Sequence, residues 1–300
     1  MPENFLSYLY PNPRIIDNFT PELITKIHND MSYNILKGKK GIIFGALNEQ
    51  SIAWKAAQRV VEEGAEIVLT NAPIALRLGA IKRLAEETGS IVVPADATSI
   101  ADLEALVDKA MEQFGGQFDF VLHSIGMSPN VRKSIPYEDI NYDFMNKTLD
   151  ISALSFHKLL KVLYSKNAIK RGGSIVALTY IAAERAIEGY NDMADAKALL
   201  QSITRSFGAI YGKNYGVRIN TISQSPTATT AGQGIVGMQY MLKYADSLSP
   251  LGNASAEDCA DYIVMMFSDF TRKVTMQNLY HDGGFSTTGL LQLTGMEELK

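Results

Sequence analysis

From about Lys40 to His281 the chain repeats one pattern, a short apolar run followed by a longer stretch with helical spacing. "KGIIFGA" precedes "SIAWKAAQRVVEEG", "AEIVLTN" precedes "APIALRLGAIKRLAEETG", and "SIVVPADA" precedes "DLEALVDKAMEQFG". "FDFVLHSIG" then leads to a long helical stretch from about Asn141 to Ser165. The rhythm continues through "GSIVALTY", a helix over 191–211, "VRINTIS", a helix over 255–268 and "VTMQNLYHDGG". Runs that are apolar at nearly every position have no solvent face, so they predict strands buried on both sides. Helical crossovers between such strands predict a parallel sheet. The expectation is an α/β fold, a single doubly wound domain of about seven parallel strands with helices on both faces. A content of 46% hydrophobic residues in 300 supplies its core.

Composition shifts near Met31. Four of the ten prolines fall at positions 2, 11, 13 and 21. Residues 1–36 are therefore expected to be an irregular N-terminal arm with a short helix from Pro21 to Asn29. The methionine opening "MSYNILKGKKG" is read as the natural start, which makes the arm upstream sequence. Residues 37–300 are expected to form the Rossmann-type domain, without an internal linker. A net charge of -4, from 28 basic and 32 acidic residues, gives no global field for nucleic acid or an anionic membrane. No run reaches the ~18 apolar residues of a membrane span. Cys259, the single cysteine, has no disulfide partner and no metal-ligand spacing around it. A soluble cytoplasmic protein without a metal is expected.

Open α/β sheets bind ligands beyond the carboxyl ends of their strands. After the first strand stands "GALNEQSIAW", without G-x-G-x-x-G. Gly45 lets the chain turn tightly, and the helix beginning near Ser51 and Ile52 directs free N–H groups and a positive dipole end at a pyrophosphate. The second strand ends "LTNAP", with no acidic residue for a ribose 2′-hydroxyl. Arg77 is a candidate for a 2′-phosphate against the plainer reading of a solvated helix residue, so NADH and NADPH both stay open on these residues. Asp96 ends the third strand, where its carboxylate can accept from an adenine amino group beside the Ala97 backbone. Ser124, Ile125 and Gly126 fall where a ribose and nicotinamide would lie. His123, beside an apolar strand, is read as a structural histidine.

Tyr190 and Lys197 stand after the fifth strand in "TYIAAERAIEGYNDMADAK". Seven helical residues turn through about 700°, so the pair lies within about 20° on one helix face, with Met193 between. A lysine ammonium there can bind ribose hydroxyls and favour hydrogen-bond donation by the tyrosine. Tyr33 and Lys40 share the spacing but precede the loop end of the first strand, so they cannot reach the site.

A doubly wound sheet with this pair after its fifth strand resembles the short-chain dehydrogenase/reductase superfamily. The usual Tyr-x3-Lys fails, because Ala194 occupies the lysine position. Tyr-x6-Lys with a second tyrosine upstream is similar to the divergent NADH-dependent enoyl-[acyl-carrier-protein] reductases of type II fatty acid synthesis. "GALNEQSIA", "HSIG", "YIAAERAIEGYNDMADAK" and "HDGGFS" carry the likeness, which spans about Leu36 to Ser286. "MSPN", "DISALSFHK" and "INTISQSPT" resemble a Bacteroidetes-type member.

The resemblance implies hydride transfer from NADH to the β-carbon of a trans-2-enoyl thioester and protonation at the α-carbon. Tyr190 would then hydrogen-bond the enolate oxygen, Lys197 would hold the cofactor ribose, and Tyr180 would line the substrate side. Pro226, Thr227 and Thr229 are expected at the cofactor. Met127, Ser128, Met193, Ile235 and Met238 are expected at the substrate, under a lid of about residues 226–245. Acyl carrier protein is the implied partner and a homotetramer the implied assembly. Beyond Ile235 the family's basic cluster is replaced by Val236, Gly237, Gln239 and Tyr240, so Arg132 and Lys133 would have to contribute to carrier docking. A carbonyl or ketoacyl reductase is disfavoured by Ala194, and by Ala177 thirteen residues before Tyr190, where a catalytic serine would stand. A non-catalytic dinucleotide sensor would not need Tyr180, Tyr190 and Lys197 together.

Overall fold

The computed structural model describes residues 32–77, 80–229 and 238–289. Seven strands form one parallel sheet: β1 Lys40–Phe44, β2 Glu66–Thr70, β3 Ile91–Val92, β4 Phe118–His123, β5 Ile169–Thr179, β6 Arg218–Gln224 and β7 Asn278–His281. Their order is β3-β2-β1-β4-β5-β6-β7, so the direction of winding reverses between β1 and β4. The helices of eight residues or more among the described residues are α1 Ile52–Glu62, α2 Ala80–Thr88, α3 Ile100–Phe114, α4 Tyr142–Leu149, α5 Ser155–Ser165, α6 Asn191–Tyr215, α7 Met238–Leu248 and α8 Ala256–Phe267.

The strands are apolar on both faces because each face carries its own core. Phe118 and Val121 of β4 pack with Leu103 of α3, Phe156 of α5 and Leu200 of α6. Their neighbours Phe120 and Leu122 point the other way, toward Trp54 of α1, Leu84 of α2 and Ile263 of α8. All four β4 side chains are fully buried, and each contributes roughly 1.5–3 kcal/mol by leaving water.

The boundaries differ from the sequence expectation where local chemistry intervenes. β3 stops after two residues, shortly before Pro94, which has no N–H to donate to a ladder. The long helix expected over 141–165 is divided by a π-helical turn, Asp150–Leu154, between α4 and α5. The expected arm boundary at residue 36 falls inside a docked segment. Leu36 is fully buried, and the Glu63 carboxylate and carbonyl receive the N–H groups of Ile35 and Leu36 at 3.1 and 3.0 Å. The expected helix Pro21–Asn29 lies outside the described residues. Ser255 and Asp258 form a capping box in both directions at the start of α8. Among the described residues no helix is long and apolar enough to cross a membrane.

Candidate active site

Beyond the carboxyl ends of β1, β4, β5 and β6 a cavity of about 360 Å³ opens at the point where the winding reverses. Gly45 turns the chain out of β1 with φ +94°, and a Cβ there would stand 2.0 Å from the Ser124 carbonyl oxygen after β4. Only glycine allows the two strand ends to approach so closely. Ser51 is the N-cap of α1, but its hydroxyl makes no cap. It accepts the N–H groups of Leu47 and Asn48 at 3.2 and 3.1 Å, which folds the loop and leaves the helix start without a side-chain acceptor. A helix start of this kind can hold an anion. Ile52 lines the same wall.

Ser124, Ile125, Gly126 and Met127 form the floor. A Cβ at Gly126 would stand in ordinary contact with Lys197 Nζ at 3.6 Å and the Met193 methyl at 3.8 Å, so the glycine keeps the backbone close beside the ammonium. Lys197 is buried and donates to the Leu178 carbonyl at 2.8 Å, and burial pushes its ammonium down to about 8. Tyr180 and Tyr190 lie with ring centroids 4.9 Å apart and planes tilted by 50°. Burial raises both phenols, with Asp282 adding to the effect on Tyr180 and Tyr180 to that on Tyr190. Both are therefore un-ionised donors at neutral pH. Neither hydroxyl has a hydrogen-bond partner among the described residues.

His123 is fully buried below this floor and does not line the cavity. Ser155 gives its proton to the Ile151 carbonyl at 2.7 Å, so it accepts from His123 Nε2 at 2.9 Å. Burial foremost, and then the Lys197 charge, push the imidazole down to about 3. It is a neutral ring with a fixed tautomer.

The cavity gathers Pro226, Thr227, Thr229 and Met238 with the residues above, and Ser128 and Met193 on its other side. Ile235 lies outside the described residues. Asp96 and Ala97 do not line the cavity. The Asp96 Oδ1 is occupied by the Thr98 N–H and hydroxyl at 2.8 and 2.7 Å, an Asx turn that builds the start of α3. Arg77 is exposed and outside the lining. The Ser128 hydroxyl donates to Asp192 at 2.6 Å and accepts from the Val131 N–H at 3.0 Å, so it is not free for a substrate. Thr227 turns its hydroxyl onto the Ser225 carbonyl at 3.0 Å.

The sequence reading missed Asn71, Leu178 and Gln224, which also line the cavity, as does Met241 of the expected lid. Asn71 and Gln224 stand at the ends of β2 and β6, so the strand-end rule would have found them. Asp192 was missed for another reason, since an acidic residue in a helix's first turn ordinarily reads as a dipole partner in solvent.

The sequence model of the family described as enoyl-(acyl carrier protein) reductase matches residues 45–286. The enoyl-[acyl-carrier-protein] reductase [NADH] 2 of Rhizobium meliloti is 34% identical over 263 residues, which are 87% of this chain and 97% of that protein. Among solved structures, the FabI-NADH complex from Alistipes finegoldii is 69% identical with a TM-score of 0.85, covering 86% of this chain and 91% of that one. The NADH enoyl-[acyl-carrier-protein] reductase of Aquifex aeolicus is 31% identical with a TM-score of 0.79, covering 86% of this chain and all 100% of that one. The chain belongs to the enoyl-(acyl carrier protein) reductase family.

Proposed function

We propose that this protein reduces the trans-2 double bond of enoyl thioesters in type II fatty acid synthesis, with NADH as cofactor. The observation that carries the reading is the grouping of Tyr190, Tyr180 and Lys197 in one cavity, with two unpartnered phenol donors beside a buried ammonium.

The residues fit a dinucleotide. The uncapped start of α1 suits a pyrophosphate, and the bare Gly126 backbone beside Lys197 Nζ in the cavity lining lets a ribose approach the ammonium. When bound, NADH supplies the hydride that adds at the β-carbon. Lys197 holds the ribose hydroxyls with the two ammonium protons left after its bond to Leu178. Tyr190 aims its hydroxyl at the thioester oxygen, where negative charge develops as the double bond is reduced. In a dry cavity such a donor is worth far more than in water. Tyr180 lies on the substrate side, and Met193, Met238 and Met241 give the acyl chain an apolar, adaptable wall. Of the expected lid over about residues 226–245, Met238 and Met241 of α7 line the cavity, and residues 230–237 lie outside the described residues.

Acyl carrier protein delivers the substrate. Arg132, exposed at the cavity wall and without an ion pair among the described residues, offers it a cation. Lys133, 4.6 Å from the Phe144 ring centre, stands beside it. The enzyme works in the cytoplasm as a homotetramer.

The test is NADH oxidation with a crotonyl thioester against an acetoacetyl thioester. Turnover of the crotonyl thioester is expected, and turnover of the ketone alone would overturn the reading. Tyr190→Phe is expected to lower kcat about a hundredfold, within the range for removing one oxyanion donor. Full activity in that variant would remove the assigned role.

A further inference from the structure

Asp192 follows Tyr190 by two residues, is fully buried, and has no part in the chemistry above. Its Oδ1 accepts from the Ser128 hydroxyl at 2.6 Å. Its Oδ2 accepts from the Asn130 amide at 2.8 Å and from the Thr148 hydroxyl at 2.7 Å. Three donors from two separate parts of the chain thus converge on one carboxylate in the first turn of α6. Ser128 and Asn130 belong to the segment after β4 that walls the cavity, and Thr148 belongs to α4.

A second contact runs parallel to the first. Asn191, directly after Tyr190, is a left-handed non-glycine residue with φ 43°. Its amide donates to the Ile135 carbonyl at 2.5 Å. Asparagine tolerates this backbone better than most residues, and the bond to Ile135 fixes the bend where Tyr190 leaves the loop and α6 begins. Asn130 is held in turn, since its amide donates to the Asn141 carbonyl at 3.1 Å and its Oδ1 accepts the Asn141 N–H at 3.2 Å.

We propose that Asp192 is a positioning residue for Tyr190. It latches the cavity wall formed by residues 127–135 to the first turn of α6, so that wall and phenol keep one relative geometry when the enoyl thioester binds. The inference rests on the proposed role of Tyr190 in enoyl reduction. A displacement of about 1 Å between a substrate and its catalytic group can cost on the order of a hundredfold in rate, so a latch at this place acts on turnover as well as on stability.

The experiment compares full-length wild type, Asp192→Asn, Thr148→Val and Leu159→Ala. It reads kcat and KM with a crotonyl thioester, the NADH dissociation constant by nucleotide fluorescence, melting temperature, and hydrogen exchange over 127–135. Asp192→Asn keeps the volume and one oxygen but turns a donor toward donors. The expected result is a fall of about tenfold or more in kcat/KM, NADH affinity within about twofold of wild type, and faster exchange over 127–135. Thr148 does not line the cavity, so a smaller fall of the same kind in Thr148→Val is transmitted through Asp192. Thr148→Val decides the question should Asp192→Asn fail to fold. Leu159→Ala, a core lesion in α5, is expected to lower the melting temperature and leave kcat/KM unchanged. The proposal is overturned if Asp192→Asn melts earlier with wild-type kcat/KM, or if NADH affinity and kcat/KM fall together. Should wild type not turn over the crotonyl thioester, the functional reading fails. Exchange over 127–135 then decides the latch by itself, with unchanged protection counting against it.

Discussion

Replacing Lys197 by methionine is expected to stabilise the free protein at neutral pH while removing its use of NADH. The ammonium is buried and falls from an ordinary 10.5 to about 8, with burial as the cause. At about 1.36 kcal/mol per pK unit, keeping it charged costs the folded state about 3 kcal/mol relative to the neutral amine. Methionine carries no charge and fills a similar length, but forfeits the bond to the Leu178 carbonyl, worth about 1 kcal/mol. The net gain at neutral pH is about 2 kcal/mol. The penalty on wild type is complete below the folded value of about 8, where both states hold the proton. Between there and 10.5 the unfolded chain binds a proton that the folded chain has released, so wild-type stability rises with pH. The variant lacks that slope. Urea unfolding of both proteins without nucleotide, from neutral pH to about 10, is expected to show a gap in favour of the variant that narrows as pH rises through this window. A variant less stable at neutral pH, or a gap independent of pH, would refute the reasoning.

Two glycines separate binding from folding. Gly126→Ala places its methyl no closer than 3.6 Å to Lys197 Nζ, an ordinary contact, so stability is expected to stay within about 0.5 kcal/mol. The same methyl projects into the cavity lining beside the ammonium, and NADH affinity by fluorescence titration is expected to fall at least about tenfold; an unchanged affinity would place the ribose elsewhere. Gly45→Ala combines φ +94° with a Cβ 2.0 Å from the Ser124 carbonyl oxygen. It is expected to cost at least about 3 kcal/mol in urea unfolding, because the left-handed backbone alone costs about 1–2 kcal/mol and the strand ends must also part.

The sheet was legible because strands buried on both faces leave an unbroken apolar run, and these runs fixed the order of elements along the chain. Gly126 was legible as cavity lining because it follows the end of β4, and Tyr190 and Lys197 because they open the helix after β5. Asp96 also follows a strand end, yet the structure uses its carboxylate locally, to turn the chain into α3. Position alone does not reveal whether a polar side chain turns outward or back onto its own loop. Asp192 was hidden for a related reason. Its three partners lie 44 to 64 residues away, and spacing along α6 carries no trace of them.

The departure at position 194 has a physical basis in the two sides of α6. Positions 194 and 197 both lie within α6, three residues and therefore about 60° apart around its axis. Ala194 accordingly packs against the cluster of Tyr180, Ile181 and Ala182, as Met241 and Phe285 also do, an apolar group on the side assigned to the acyl chain. Lys197 instead reaches the Leu178 carbonyl beneath Gly126. An ammonium at 194 would be desolvated among these apolar groups, a burial that is costly without compensation. It would also crowd the space in which the Tyr180 ring lies 4.9 Å from that of Tyr190. Moving the cation one turn further along the helix clears that side for a second tyrosine and an apolar chain while keeping a positive charge on the cofactor side. The seven-residue spacing is thus more than a family marker. On the proposed reading it divides α6 between an apolar acyl side and a charged ribose side, a division suited to reducing a carbon–carbon double bond in an acyl thioester.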